Sequence, residues 1–290
     1  VLNKAVILAA GRGTRFLPYT KGVSKEMLAV VDVPALYLVV DEVVKAGIHD
    51  ICIVISPDKQ EITRYFSKDE ALEQFLYNKN KLDVLARVQE LSILASFSFV
   101  YQNQANGSGD ALNKARKFCN GQPAVVLNAD DIIYTQGDTV TKQLCDCFNQ
   151  YHTSILGVQE VDIKAISKYA SCHVVKSNGR AHLIDNVIEK PTPSQVCSLL
   201  APLGRYVISE DFFEYIDRTP ISANGELQFT DSLQLQAKEN GIYAYEFIGK
   251  RYDTGDKLGY IKAFIEYALR DERFGKDLLP YLKQLIQDNA

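Results

Sequence analysis

The chain has 290 residues, is 47% apolar and 23% charged, and carries a formal net charge of −4. Those values suit an ordinary globular protein built as one large α/β unit or two small ones. They exclude the general electrostatic footprint of a nucleic-acid binder, so any polyanion must be met by a local cluster of cations.

The first element is an apolar strand, Ala5 to Ala10, that runs into Gly11-Arg12-Gly13-Thr14-Arg15. A buried strand ending in Gly-x-Gly lets backbone N–H groups approach an anion with no Cβ in the way. Arg12, Arg15 and Lys25 bring positive charge to the same stretch, which reads as a triphosphate site. An ordinary strand-to-loop turn with surface arginines is the plain alternative. The dinucleotide fingerprint fails because Phe16 stands where its third glycine belongs, and the P-loop pattern fails as well. Pro18 opposes a helix starting at the loop, so residues 11–25 read as a long loop folding over a ligand.

A helix follows, with Asp32 as expected N-cap, Leu36, Val39, Val40 and Val43 on one face, and Gly47 ending it. Residues 51–56, 97–102 and 124–127 read as further strands, 69–94 as mainly helical, and 109–119 as a helix. Strand and helix alternating in this way favour a parallel sheet covered on both faces. Gln102 ends its strand just before Asn106-Gly107-Ser108-Gly109, and its amide offers a donor and an acceptor together, as a pyrimidine edge requires. The strand at 124–127 runs into Asn128-Ala129-Asp130-Asp131. Ligands of open α/β sheets lie at the carboxyl ends of strands, and a carboxylate there suits Mg²⁺ beside phosphates. Both acids could instead cap the next turn. Asp253 is a second candidate ligand, with helix capping as its alternative.

Beyond residue 150 the pattern changes. Residues 155–161, 171–176, 183–189, 204–208 and 242–248 read as strands, and Asn178-Gly179 signals a hairpin. Glu189-Lys190-Pro191 ends one hairpin arm. Lys190 can neutralise a phosphate there and Glu189 can bind sugar hydroxyls, unless the two form a surface ion pair. Residues 255–289 read as helical with a break at 273–275. The expected organisation is a single domain over 1–290, with a nucleotide-binding part (1–150), a sugar-phosphate part (151–255) and C-terminal helices (256–290). The six cysteines include no Cys-x-x-Cys and no spacing to histidine that suits zinc, so reduced, buried thiols are expected. No apolar run reaches the ~18 residues of a membrane span. The opening strand lacks signal-peptide features, and a cytoplasmic protein is expected.

Taken in order, these motifs resemble the sugar-1-phosphate nucleotidylyltransferases, and among them the bacterial UTP–glucose-1-phosphate uridylyltransferases. The resemblance rests on Gly11-x-Gly13-Thr14-Arg15, Lys25-Glu26-Met27-Leu28, Asp130-Asp131, Glu189-Lys190-Pro191, Gly225-Glu226-Leu227-Gln228-x-Thr230-Asp231 and Asp253-x-Gly255. It implies a Rossmann-like α/β/α sandwich with a mostly parallel mixed central sheet, an antiparallel insert and a helical C-terminus. It implies transfer of the uridylyl group of UTP to glucose-1-phosphate, with Mg²⁺ as cofactor and a homodimer or homotetramer as assembly. Ala10, Gly11, Gly13, Thr14 and Asp131 would serve the nucleotide, with Glu26, Gln102 and Gly107 framing uracil. Arg15 and Lys25 would hold the triphosphate. Asp130 and Asp253 would bind the metal. Ala170 and Glu189 would face the sugar, and Lys190 its phosphate.

The sequence departs from that family at several points. Ser24 replaces a usual proline, Arg12 a leucine, Val33 a lysine, Tyr37-Leu38 a Gln-Tyr pair, Asp110 a histidine and Ala170 a glycine. These departures keep two other readings open: a regulatory paralogue without activity, and a thymidylyltransferase using dTTP.

Overall fold

The computed structural model describes residues 2–289. The chain starts with β1 (Lys4–Leu8), passes through a loop of short 3-10 turns, makes a small ribbon from β2 (Ala29–Val30) and β3 (Val33–Pro34), and enters α1 (Ala35–Lys45). Next come β4 (Asp50–Ile55), α2 (Gln60–Tyr65), α3 (Glu70–Asn78), α4 (Leu82–Ile93), β5 (Ser96–Tyr101), α5 (Ser108–Lys114), α6 (Arg116–Cys119) and β6 (Ala124–Asn128). The second half holds β7 (Asp131–Tyr134), α7 (Val140–Tyr151), β8 (Ile155–Glu160), β9 (Ala170–Asn178), β10 (Ala181–Glu189) and β11 (Leu200–Ile208). It closes with α8 (Phe212–Arg218), α9 (Phe229–Asn240), β12 (Ile242–Glu246), β13 (Lys250–Asp253), α10 (Lys257–Arg270) and α11 (Gly275–Asp288).

One nine-stranded sheet has the order β5-β4-β1-β6-β11-β8-β12-β10-β9. Only β11 and β10 run against the other strands, so the sheet is mixed but mostly parallel. Its inner parallel strands are buried on both faces, as Ile51 to Ile55 are without exception, while the edge strand β5 is only partly covered. Alternation along β1 separates two cores. Ala5 and Ile7 join Leu36, Val39 and Val40 of α1. Val6 faces the other way, with Leu112 of α5 and Phe212 of α8. The result is the expected α/β/α sandwich.

Most expected elements stand within a few residues of their forecast positions, and Gly179 (φ +58°) turns the β9–β10 hairpin. Three local readings need correction. Asp32 does not cap α1, where Pro34 is the N-cap residue, but pairs with Arg87 and Arg273. The helical stretch from 69 to 94 breaks in two at Asn80, whose left-handed backbone (φ +52°) no α-helix admits. Helix 109–119 likewise divides after Lys114.

The topology also locates a crevice. β1 has β4 on one side and β6 on the other, so the loops leaving their carboxyl ends diverge. A separate two-stranded ribbon, β7 with β13, lies beyond β6 and sets Asp131 opposite Asp253. None of the helices described is long and apolar enough to cross a membrane.

Candidate active site

The loop after β1 is held by a lysine that no local pattern singles out. Lys59 is 5% exposed, and its Nζ donates to Ala9 O and Gly11 O (2.6 Å each) and to Glu26 Oε2 (2.8 Å). Glu26 is 1% exposed, and burial pushes its carboxyl pKa up against the pull of Lys59 and Lys25. Its second oxygen, Oε1, is buried with no hydrogen-bond partner among the described residues. Ser24 then ties the far end of the loop to α2: its N–H (3.0 Å) and hydroxyl both donate to Glu61 Oε1. A proline at 24, which has no N–H, could not make the first of these bonds.

Between these anchors the two glycines lie against Lys25, and Gly13 is the tighter of the two. A Cβ on Gly11 would stand 3.5 Å from Lys25 Nζ, and one on Gly13 3.2 Å from Lys25 Cβ, with φ +63° besides. Lys25 pairs with Asp130. Burial works against both charges, yet each outweighs it for the other: the Lys25 pKa is held above the usual lysine value and that of Asp130 below the usual carboxylate range. Arg15 is exposed, with Nη1 3.5 Å from Gly255 O, and so hangs over the same spot.

Asp130 is held on three sides. Thr254 donates to its carbonyl through N–H and Oγ1, both at 2.8 Å. A Cβ on Gly255 would lie 2.7 Å from Asp130 Oδ2 and 3.0 Å from Asp253 Oδ1, so two carboxylates converge on the bare face of that glycine. Asp131 points elsewhere. Its Oδ1 accepts from Arg251 Nε (2.6 Å), and its Oδ2 occupies the space a Cβ on Gly204 would need (2.2 Å, φ +70°). Burial pushes the Asp131 carboxyl up while Arg251 pulls it back. Arg251, disfavoured by burial, is held above its ordinary value by Asp131.

Beneath this loop lies Arg205, fully buried. It donates to both oxygens of Glu42 (Nε at 3.0 and 3.1 Å, Nη2 to Oε2 at 2.7 Å) and to Asp131 O (2.7 Å). Thr141 completes the group by donating to Glu42 from N–H and hydroxyl.

Three cavities surround these residues. The largest, about 490 Å³, is lined by Ala10, Arg12, Thr14, Lys21, Lys25, Lys59 and Gln102, so cations dominate its wall. A second, about 300 Å³, shares Ala10, Lys25 and Gln102 with it and adds Gly11, Glu26, Gly107 and Asp130. Gly107 has φ +100°, and a Cβ there would strike Leu227 O at 2.3 Å, which accounts for its pairing with the Gly225-Glu226-Leu227-Gln228 segment. The third, about 200 Å³, is lined by Asp131, Lys168, Tyr169, Ala170, Glu189, Gly204 and Arg251. Lys190 lies beside it, exposed, with a left-handed backbone (φ +45°) and its N–H on Tyr169 O (2.8 Å). That conformation is uncommon for a non-glycine residue and turns the chain sharply after Glu189.

The candidate residues therefore fall into a loop side (Ala10, Gly11, Gly13, Thr14, Arg15, Lys25, Glu26, Gln102, Gly107), a carboxylate floor (Asp130, Asp253) and a third region (Asp131, Ala170, Glu189, Lys190). Asp131 lines the third cavity and neither of the other two. Lys59, Arg205, Arg251 and Lys168 were not foreseen. Among the described residues no group of three or more histidine, cysteine or acidic side chains could hold a metal alone. Two converging carboxylates are nevertheless the donor set Mg²⁺ uses when phosphates and water complete its shell.

Residues 4–270 match the nucleotidyl transferase family. A Staphylococcus saprophyticus protein named UTP–glucose-1-phosphate uridylyltransferase 2 is 39% identical over 284 residues, covering 98% of each chain. A Staphylococcus epidermidis UTP–glucose-1-phosphate uridylyltransferase matches to the same extent. Among solved structures, a UTP-bound UGPase from Acinetobacter baumannii superposes with a TM-score of 0.90 at 31% identity, covering 100% of both chains. A UDP-glucose pyrophosphorylase complexed with UDP-glucose superposes at 0.85 and 34% identity, over 93% of this chain and 100% of the other.

Proposed function

This chain belongs to the nucleotidyl transferase family, and we propose that it transfers the uridylyl group of UTP to glucose-1-phosphate, giving UDP-glucose and pyrophosphate. The observation that carries the reading is the meeting of Lys25 and Asp130 where the glycine-rich loop and the end of β6 converge. A phosphate oxygen of glucose-1-phosphate attacks the α-phosphorus of UTP. One P–O bond forms, the opposite P–O bond breaks, and pyrophosphate leaves. Both reactants are anions, so the protein has to align them and offset their repulsion rather than supply a nucleophile.

Each residue has a part in this scheme. Lys25 and Arg15 hold the triphosphate, with Arg12 and Lys21 on the wall of the same cavity. Ala10, Gly11, Gly13 and Thr14 give the nucleotide close backbone approach. Gln102, Gly107 and Glu26 frame the base. Asp130 and Asp253 would hold Mg²⁺, which when bound offsets phosphate charge and steadies the leaving group. Glu189 accepts from sugar hydroxyls beside Ala170. Lys190 meets the phosphate of glucose-1-phosphate. Asp131 orients Arg251 at the wall of the sugar-side cavity.

We further infer a cytoplasmic homodimer or homotetramer. The support for assembly is the apolar surface left open on the C-terminal helices, where Leu258, Ile261, Tyr281 and Ile286 are each at least half exposed. Sedimentation velocity tests it, and a monomer at working concentrations contradicts it.

Pyrophosphate release from purified protein tests the reaction. Release with UTP and glucose-1-phosphate in Mg²⁺, much weaker with dTTP, is the expected result. Equal or better release with dTTP supports a thymidylyltransferase instead. A folded protein that binds UTP but releases nothing with any sugar phosphate supports the regulatory paralogue.

A further inference from the structure

Gln102 is 6% exposed and lines both nucleotide-side cavities. Its Nε2 donates to Gly107 O and to Asp110 Oδ2, both at 2.9 Å. Each partner is an acceptor only, a carbonyl and a carboxylate, so the atom facing them has to be the NH₂. The other carboxylate oxygen of Asp110 pairs with Lys114 at 3.0 Å, one helical turn further along α5. The amide is thereby fixed in one of its two orientations. Its carbonyl oxygen makes no hydrogen bond among the described residues and is the group left for a ligand.

We propose that Asp110, braced by Lys114, is the positioning residue that selects the base: by pinning the Gln102 NH₂ it presents Oε1 to a base bearing a ring N–H. Uracil and thymine carry N3–H and can donate to it. Cytosine has a lone pair at N3, which would face the Gln102 oxygen and leave two acceptors opposed. A glutamine free to turn its amide would serve either pyrimidine. Asp110 and the Gly107 carbonyl together remove that freedom, because neither can donate, and of the two only Asp110 is a side chain that substitution can take away. Asp110 touches no substrate in this scheme, and the inference rests on the proposed uridylyl transfer.

The same chemistry makes a prediction that a merely structural residue would not share. Uracil and thymine present the same N3–H, so Asp110 governs choice between UTP and CTP but not between UTP and dTTP. The test is kcat/KM for UTP, CTP and dTTP, read as pyrophosphate release, in wild type, Asp110→Ala and Asp110→Asn. Asp110→Ala leaves Gly107 O as the remaining restraint on the amide and is expected to lower the UTP:CTP ratio about threefold, the worth of a weak hydrogen bond. The change should come chiefly through KM for the nucleotide. The UTP:dTTP ratio and the KM for glucose-1-phosphate should stay within about twofold of wild type, since neither depends on this orientation. Asp110→Asn, whose NH₂ can donate to a turned Gln102 amide, is expected to lower the UTP:CTP ratio by a comparable factor of about threefold. It serves as the working variant where the alanine protein does not fold.

An unchanged UTP:CTP ratio in the folded variants overturns the proposal. So does a parallel loss with all three nucleotides together with a shifted KM for glucose-1-phosphate, the pattern of general damage. Failure of the underlying reading is visible beforehand, in the wild type, as absent pyrophosphate release or a preference for CTP.

Discussion

Replacing Arg205 by methionine removes the side chain on which the Asp130–Asp131 loop rests. Arg205 is 0% exposed and binds both oxygens of Glu42, whose own exposure is 6%. Breaking one partner of a buried ion pair leaves an uncompensated charge, which typically costs about 3–5 kcal/mol. The Thr141 N–H and hydroxyl still face Glu42 but cannot neutralise it. At about 2 °C per kcal/mol for a large domain, the first unfolding transition is expected to fall by about 6–10 °C. Turnover should fall too, because Asp131 O loses its 2.7 Å donor and the loop carrying Asp130 loosens. Calorimetry on Arg205→Met and on the double variant Glu42→Met/Arg205→Met separates the two effects. The double variant removes the stranded carboxylate, so it should unfold at a higher temperature than the single one while remaining poorly active. A single variant that loses less than about 1 kcal/mol, or a double no more stable than the single, refutes this account of the buried pair.

Asp32, held down to about 2 by Arg273 and Arg87, loses that support when protonated. Its folded pKa lies below the unfolded one, so the stabilisation is present above about pH 4 and disappears as pH falls toward 2. Asp32→Asn should therefore destabilise slightly at neutral pH, by less than about 1 kcal/mol for so exposed a cluster, and by progressively less as pH falls through about 2, by chemical denaturation. Burial pushes the thiols of Cys52, Cys119, Cys145, Cys147 and Cys172 up to about 12, whereas Cys197 is exposed. A disulfide reagent at about pH 8 should modify Cys197 alone until the protein is unfolded, and rapid reaction of a second native thiol contradicts that burial. Lys190→Ala should raise the KM for glucose-1-phosphate and lower turnover about tenfold or more, since a charge-assisted contact to phosphate is worth about 1.5–3 kcal/mol. Unchanged kinetics with that substrate would take Lys190 out of the site.

Local pattern made the strands legible. Apolar runs ending at Ala10, Ser56 and Leu127 overlap β1, β4 and β6, because strands buried on both faces carry continuous apolar sequence, and the alternating run ending at Gln102 overlaps the half-covered edge strand β5. Gly13 and Gly107 were legible as candidate positions for the same reason that they are needed: a positive φ and close packing leave no room for a side chain. What stayed hidden depends on partners distant in sequence. Lys59 is one lysine among many until Glu26, 33 residues earlier, is folded against it. Arg205 sits in an apolar strand and shows no periodic signal, since its partner Glu42 is 163 residues away. The β7–β13 ribbon that sets Asp131 against Asp253 is likewise a long-range pairing, and a four-residue strand after two acids reads locally as a turn. Asp32 looked like a cap because aspartate before a helix usually is one, but the β2–β3 ribbon intervenes at that point and leaves it to two arginines.

The most direct test of the central claim is Mg²⁺-dependent pyrophosphate release from UTP and glucose-1-phosphate by Asp130→Asn beside the wild type, with circular dichroism to establish that both are folded. Asparagine keeps the shape of the side chain but removes the charge that Lys25 pairs with and that a metal would need. The account predicts strong release by the wild type, lost on chelation, and loss of most of it in the variant. Near-wild-type release by folded Asp130→Asn protein would contradict the assignment of Asp130 to the reaction.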